Sequence, residues 1–369
     1  MNGLATTMQN ALRLIRGGSL RAATDVIQHK LREMSGLNVP AHQKQRESAD
    51  TAARAEVAKL YRARSSVPEI DSTFTAATYV GPAGSRRYKL CVPAGKHASP
   101  LPLVVMLHGC TQSPDDFALG TGMNALAEDQ KCVIAYPEQP VSANGLKCWN
   151  WFKSSDQQRD QGEPAIIAGI TRELIATHGL DANRVYVAGL SAGGAMAVIM
   201  GRTYPDLYAA VGVHSGIPYA VAHDAPSAFA AMKGTASQPA RRTATLPQLI
   251  PTIVLHGDRD KTVHPSNGEK LADQFGFAAG PDNAEPAMQL GQTESARERV
   301  RGGREYTRTL LRDDSGKVVV EYWLVHGAGH AWFGGNPAGS HTDPKGPDAS
   351  KEMLRFFLGH ELKDRGNRA

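Results

Sequence analysis

The 369-residue chain predicts an α/β fold, a doubly wound and mostly parallel sheet with an N-terminal helical extension. Two observations support this fold class. Short, almost entirely apolar runs, typical of parallel strands covered on both faces, alternate with helical segments. One such run, 185–188, passes through a glycine-rich turn directly into a buried helix at 195–200. The length suits one α/β domain of about 280 residues with an extension.

Residues 1–35 are predicted to be a helical hairpin extension. Within 5–34, two amphipathic helices flank the Gly17-Gly18 turn, and two short helices cannot bury their apolar stripes alone. Three surfaces are alternatives for covering them: the main domain, a second copy in a homodimer, and a hydrophobic lipid or polymer particle. Residues 36–70 are polar and charged and predict a partly helical linker.

The main domain, 71–362, is predicted to begin with an antiparallel strand pair at the sheet edge, 74–80 and 87–92. Five apolar strands follow, at 101–107, 132–136, 185–188, 209–214 and 252–256. Further helices are predicted at 115–129, 163–178 and 266–276.

A long segment of mixed character, about 217–249, predicts a cap-like insertion between two strands of this domain. The polar segment 280–303 is predicted to be irregular. The final strands, 306–312 and 318–325, should pair across a turn before a closing helix at 347–358. Residues 363–369 form a tail.

The charge balance is mildly basic, with 41 Lys and Arg against 36 Asp and Glu. The excess lies mainly near the N-terminus, and no nucleic-acid-binding motif accompanies it, so we expect no nucleic-acid partner. No apolar stretch is long enough for a transmembrane segment, and none resembles a secretory signal. The sequence therefore predicts a cytoplasmic protein.

Four cysteines leave two arrangements open, disulfides or free core thiols. Cys91 and Cys132 fall in two strands that should be neighbours, where they could pair. We favour two core thiols.

The segment Gly189-Leu190-Ser191-Ala192-Gly193 predicts a sharp turn between strand and helix with a serine at its apex. Side chains two positions before and after the serine would collide with the neighbouring strand and helix, which explains the two glycines. The Ala192 amide at the helix N-terminus can then face an oxyanion. The alternative is a tight turn with an inert serine.

A serine hydroxyl becomes a nucleophile only when a base takes its proton, and the base needs an acid to hold it. Asp258 and Asp260 follow the strand at 252–256, and we favour Asp260 because Val263 provides an apolar anchor behind it. His326 still belongs to the end of the last strand, whereas His330 lies on the glycine-rich loop beyond it. The predicted triad is therefore Ser191, Asp260 and His330.

The loop after 101–107 should supply a second oxyanion donor, the backbone amide of Cys110 or Thr111, with His108 in a structural role. Four aromatic residues lie on loops beside the predicted triad and suggest a hydrophobic acyl or aryl pocket, although any of them could be core: Trp149, Trp151, Trp332 and Phe333. No metal-ligand spacing or phosphate-binding loop is visible, so we expect no metal and no cofactor.

Several motifs occur in order over about 75–360: L-H-G-C-T-Q-S-P-D-D-F, C-W-N-W, G-L-S-A-G-G-A-M, H-G-D-R-D-K-T-V-H-P-S-N and G-A-G-H-A-W-F-G-G. Together they resemble the polyhydroxybutyrate depolymerase family of esterases, which includes relatives of feruloyl and acetylxylan esterases. The resemblance implies an α/β-hydrolase fold, Ser191 as nucleophile, Asp260 as acid, His330 as base and Cys110 as an oxyanion-hole residue. It also implies a Cys110–Cys148 disulfide and, as an alternative location, the extracellular space.

The resemblance implies a serine carboxylic-ester hydrolase that acts through an acyl-enzyme on hydroxyalkanoate oligomers or polyester. A feruloyl or acetylxylan-type esterase acting on small plant-derived esters is the alternative. A catalytically inactive binding module on the same scaffold is an alternative of another class.

Overall fold

The computed structural model describes residues 73–236, 250–277 and 293–362. The predicted helical hairpin, the linker, the residue range 237–249 of the cap-like insertion and the C-terminal tail lie outside these residues. The division of the chain into those segments therefore stays a prediction.

A ten-stranded sheet forms the centre of the described part of the chain. Its strands are β1 (Thr73–Gly81), β2 (Gly84–Val92), β3 (Leu103–Leu107), β4 (Val133–Pro137), β5 (Val185–Leu190), β6 (Ala210–His214), β7 (Thr252–Gly257), β8 (Thr293–Arg299), β9 (Glu305–Arg312) and β10 (Val318–Val325). They lie in the order β1-β2-β4-β3-β5-β6-β7-β10-β9-β8. The six strands from β4 to β10 in this order are mutually parallel, with antiparallel strands at both edges. The predicted doubly wound, mostly parallel sheet with an antiparallel pair at its edge is confirmed.

Seven α-helices cover this sheet among the described residues: α1 (Pro114–Thr121), α2 (Met123–Gln130), α3 (Gly162–His178), α4 (Ala192–Thr203), α5 (Ala225–Met232), α6 (Ser266–Ala272) and α7 (Ala349–Leu358). Strands β3 to β7 are buried at every position, because both faces of the sheet are covered. Val105 packs in the apolar cluster that includes α3 and α4, and its neighbour Met106 packs in the opposite cluster with α1, α2 and α7. Successive strand residues thus build two cores.

Two predicted helices differ from the structure. The helix predicted at 115–129 is two helices, because Gly122 takes a left-handed conformation (φ 64°) that ends α1 and begins α2. The helix predicted at 266–276 is α-helical only to Ala272 and continues as one π-helical turn, Asp273–Phe277.

The prediction of an irregular segment at 280–303 is wrong for 293–299, which forms the edge strand β8. The sequence of β8, T-E-S-A-R-E-R, has no alternation of apolar and polar residues that would predict a strand, and all seven residues are exposed. Arg297 and Arg299 both pair with Glu305 on β9. β10 is not the last strand, since β11 (Trp332–Phe333) and β12 (Thr342–Asp343) form a short parallel pair after it.

Cys91 and Cys132 are buried core thiols that no disulfide joins, as favoured from the sequence, and burial raises the pKa of Cys132 to about 12. Among the described helices, none is both long and apolar enough to cross a membrane.

Candidate active site

The predicted site residues lie at the carboxyl ends of four parallel strands, β3, β5, β7 and β10. This edge is where open α/β sheets present their functional loops. Ser191 follows β5, Asp260 follows β7, His330 follows β10 and Cys110 follows β3. Strand order alone therefore brings residues that are distant in sequence to one edge of the sheet.

The turn at Ser191 has the strained geometry that its sequence predicts. Ser191 has φ 58° and ψ −118°, a combination unfavourable for a residue with a Cβ atom. A Cβ at Gly189 would lie 2.3 Å from the backbone of Gly193, and one at Gly193 would lie 2.0 Å from the Leu107 carbonyl oxygen. The Ser191 amide donates a hydrogen bond of 2.9 Å to the His214 carbonyl. Strand, turn and helix are in contact here, and only glycine fits at both flanks.

Asp260 and His330 are joined by a hydrogen bond of 2.6 Å from imidazole Nδ1 to carboxylate Oδ2. The other carboxylate oxygen, Oδ1, accepts from the backbone amides of Thr262 (2.8 Å) and Val263 (2.9 Å). Burial raises the pKa of Asp260, but the hydrogen bond and charge of His330 and the Val263 amide outweigh burial and hold it below its ordinary value. An ionised Asp260 fixes the proton on Nδ1 and leaves Nε2 as the basic nitrogen.

Asp258 has a different set of partners. Its carboxylate accepts from the Gly327 amide at 2.7 Å and lies 3.1 Å from His326 Nδ1. His326 Nε2 in turn lies 2.8 Å from the Thr307 hydroxyl. Asp258 and His326 therefore fasten the start of the loop that carries His330.

Two further buried histidines, His214 and His256, which the sequence pattern did not indicate as site residues, lie near Asp260. His256 Nε2 donates to the Val263 carbonyl at 2.9 Å, and His214 Nε2 accepts from the Phe333 amide at 3.1 Å. Burial lowers the pKa of both imidazoles, so both are neutral near pH 7. Their position at the ends of apolar strands could have indicated from the sequence that they belong to the site.

The loop after β3 presents one of the two amides considered as oxyanion donors. The Thr111 amide donates to the Leu146 carbonyl at 2.7 Å, and the Gly109 amide donates to Gln112 Oε1 at 2.9 Å. Neither the Cys110 amide nor the Ala192 amide donates a hydrogen bond to another residue of the described ranges. Of the two alternatives, the Cys110 amide is the one open to a ligand.

The Cys110 loop is held from behind by covalent and polar contacts. A disulfide joins Cys110 to Cys148. The Trp149 indole donates to the His108 carbonyl at 3.1 Å, and the Gln139 amide donates to His108 Nε2 at 3.0 Å. Glu163, which the sequence analysis did not identify, accepts from the Asn150 amide at 2.7 Å and from the Gln139 side chain. His108 therefore has a structural role at the base of this loop.

Reduction of the Cys110–Cys148 disulfide is expected to lower kcat for ester hydrolysis by roughly tenfold. The loss should stay below the hundredfold or more of a missing oxyanion donor, because Trp149 and Gln139 still hold the loop. The measurement is p-nitrophenyl butyrate turnover before and after reduction, with thiol titration. A Cys110→Ser/Cys148→Ser variant, already slow, should not respond to reductant. Unchanged kcat in a fully reduced wild-type protein would contradict this role.

Buried histidines should make the folded state sensitive to mild acid. Burial lowers the pKa of His108 from 6.5 to about 4. Below pH 6.5 the unfolded chain binds a proton that the folded chain does not, so stability falls with pH until about pH 4. For His108 alone the loss by pH 4.5 is about 2 to 3 kcal/mol. Denaturant titrations at pH 7 and 4.5 should show a smaller pH effect in His108→Asn, and equal pH effects would contradict this account.

The predicted aromatic pocket is not what the structure shows for Trp149, Trp332 and Phe333. These side chains are at most 1% exposed, and Trp151 is 7% exposed. Trp332 stacks on His214 at 5.0 Å between ring centroids, and Phe333 contacts the same ring at 4.3 Å. They pack inward behind the site, Trp332 and Phe333 on the short strand β11. Position on a loop did not reveal which way the rings face.

The profile of the family described as "Esterase PHB depolymerase" matches residues 86–301. This span covers more than half of the chain and includes Ser191, Asp260 and Cys110. The chain belongs to this esterase family. The matched range stops before His330, so the position of His330 beside Asp260 comes from the structure alone.

Two polyhydroxyalkanoate depolymerases are similar to this chain. The poly(3-hydroxyalkanoate) depolymerase C of Paucimonas lemoignei is 34% identical over 251 residues, which cover 65% of this chain and 56% of that protein. The poly(3-hydroxybutyrate) depolymerase of Ralstonia pickettii is 29% identical over 272 residues, 68% of this chain and 50% of that protein. The chain thus spans about half the length of these relatives.

A solved structure of an acetyl xylan esterase from Aspergillus awamori has the same fold. It matches with a TM-score of 0.57 and 19% identity, covering 77% of this chain and 99% of that one. The chain therefore has the α/β-hydrolase fold, as the sequence resemblance implied.

Proposed function

We propose that the protein is a serine carboxylic-ester hydrolase that acts through an acyl-enzyme on hydroxyalkanoate esters of the polyhydroxybutyrate type. The main observation behind the proposal is the Asp260–His330 hydrogen bond of 2.6 Å. It lies at the carboxyl ends of the parallel strands, where the strained turn of Ser191 also lies. A buried carboxylate bound to a partly exposed imidazole is the arrangement that makes a hydroxyl nucleophilic. The similarity to two polyhydroxyalkanoate depolymerases supports the substrate class.

In the proposed mechanism, His330 Nε2 removes the proton from the Ser191 hydroxyl, whose oxygen attacks the ester carbonyl carbon. The resulting oxyanion accepts hydrogen bonds from the Cys110 and Ala192 amides. His330 then gives its proton to the departing alcohol, which leaves an ester between Ser191 and the acyl group. Water, deprotonated by His330, attacks the acyl carbon of this acyl-enzyme. His330 then returns the proton to the Ser191 oxygen as the bond between that oxygen and the acyl carbon breaks, which releases the carboxylic acid and restores Ser191.

Turnover of linear 3-hydroxybutyrate oligomers by the full chain tests this substrate class. We expect release of 3-hydroxybutyrate from a trimer with kcat/KM at least about tenfold above that for methyl ferulate. The fungal acetylxylan esterases among the similar proteins favour an acetyl or feruloyl esterase as the second candidate function. Faster turnover of methyl ferulate or of acetylated xylan would support that second candidate and contradict the first.

A cytoplasmic location and a homodimer or particle contact through 5–34 stay predictions. Residues 5–34 lie outside the described ranges. The location of the protein is not determined by its fold.

A further inference from the structure

The loop between β11 and β12 carries an exposed histidine that has no part in the proposed mechanism. His341 has φ 51°, in the left-handed region that a residue other than glycine seldom occupies. The chain on either side of it is pressed against α1, where a Cβ at Gly339 would lie 2.3 Å from the Gly120 Cα atom. Surroundings of this kind hold a strained residue in one conformation.

The loop is tied on one side to the predicted oxyanion donor. The Ser340 amide and hydroxyl both donate to Asp116, and Gln112 Nε2 donates to the Ser340 carbonyl at 3.3 Å. The same Gln112 side chain accepts from the Gly109 amide at 2.9 Å, next to Cys110. One amide side chain therefore links the residue before His341 to the residue before the oxyanion donor.

The loop is tied on its other side to the segment of the predicted catalytic base. The Trp332 amide donates to the His341 carbonyl at 2.7 Å, and the parallel register pairs Trp332 with Thr342. His341 is therefore level with Ala331, the residue directly after His330. His341 lies on the rim of the site, between the base and the oxyanion loop.

The state and surroundings of the His341 imidazole suit ligand binding. Burial and the charge of His330 lower its pKa, and Asp116 raises it less, so the ring is neutral near pH 7 and carries one N–H donor. The residue as a whole is exposed to solvent, although neighbouring atoms partly enclose its ring, which is the burial that lowers its pKa. An N–H donor on a loop whose backbone is held in place, exposed to solvent at the rim of the site, is available to a substrate.

The side of the substrate that this donor meets follows from the role of its neighbour. His330 protonates the departing alcohol, so the alcohol part of the ester lies next to His330. We propose that His341 determines specificity by donating a hydrogen bond to the carbonyl oxygen carried by the alcohol part of a hydroxyacid ester. In a hydroxyalkanoate oligomer the alcohol part is itself a hydroxyacyl unit, with a carbonyl two carbons beyond the carbon that bears the ester oxygen. This inference rests on the proposed function.

Two butanoate esters isolate the contact. Methyl 3-(butanoyloxy)butanoate carries the carbonyl on its alcohol part, and the matched ester pentan-2-yl butanoate lacks it. Both share the acyl group and a secondary alcohol carbon, so the ratio of their kcat/KM values for butanoate release cancels effects common to both. Butanoate is measured chromatographically with the full chain.

His341→Gly removes the imidazole and keeps the left-handed backbone without strain. We expect this substitution to lower the ratio by about tenfold, the effect of one neutral hydrogen bond. His341→Asn tolerates the same backbone and restores an N–H donor, so its ratio should lie between those of the wild type and His341→Gly.

An unchanged ratio in both variants overturns the inference while the wild type still hydrolyses both esters, which leaves the proposed function standing. A ratio that falls equally in His341→Gly and His341→Asn also overturns it, because an effect on the loop and not on the donor would then be responsible. If the wild type releases butanoate from neither ester, the proposed function and this inference both fail.

Discussion

Replacing Ser191 by alanine is expected to lower kcat for p-nitrophenyl butyrate by about a millionfold. The substitution removes the oxygen that attacks the carbonyl, and the Cys110 and Ala192 amides can then bind the ester without transferring its acyl group. The residual rate should come from oxyanion binding alone.

The control for Ser191→Ala is folding. The turn is held by its backbone, where the Ser191 amide donates to the His214 carbonyl, so removal of the hydroxyl should change the free energy of unfolding by less than about 1 kcal/mol. Circular dichroism and a denaturant titration check this. A correctly folded Ser191→Ala protein that retains more than about a hundredth of wild-type kcat would exclude Ser191 as the nucleophile.

Asp260→Asn is expected to lower kcat by about ten-thousandfold with little change in KM. An amide cannot hold the proton on His330 Nδ1 as a carboxylate does, so Nε2 no longer serves as the base. The expected loss of kcat is large because the Asp260 side chain is 0% exposed and forms a hydrogen bond of 2.6 Å with His330.

Asp258→Asn is the matched control for Asp260→Asn, because it makes the same chemical change two residues away on the same turn. The hydrogen-bond partners of Asp258 are His326 and the Gly327 amide, whereas His330 is bonded to Asp260. We expect it to lower kcat by less than about tenfold. Similar losses in the two variants, or a larger loss in Asp258→Asn, would reverse the assignment of the acid.

Much of this architecture is readable from residue type and spacing. Gly189 and Gly193 predict the turn, because a side chain at either position would collide with the Leu107 carbonyl or the backbone of α4. The fully apolar strands predict a sheet that is covered on both faces. Strand order then carries Asp260 and His330 to the same edge, although they are 70 residues apart.

Other features are set by tertiary contacts that leave little trace in sequence. β8 is a strand because β9 offers it an edge, not because its own residues are apolar. Trp332 and Phe333, predicted to lie on a loop beside the site, form the short strand β11 and face inward, where their rings pack against His214 and the core. Glu163 and Gln139 join the network behind Cys110 across the fold, a pairing that local patterns do not reveal.

Labelling with a fluorophosphonate probe, followed by peptide mass spectrometry, tests most directly whether Ser191, His330 and Asp260 act together. The probe reacts only with an activated hydroxyl. We expect one adduct, on the peptide containing Ser191, formed rapidly in the wild type and in Asp258→Asn and at least about a thousandfold more slowly in His330→Ala and Asp260→Asn. An adduct on another residue, or equal labelling rates in wild type and His330→Ala, would contradict it.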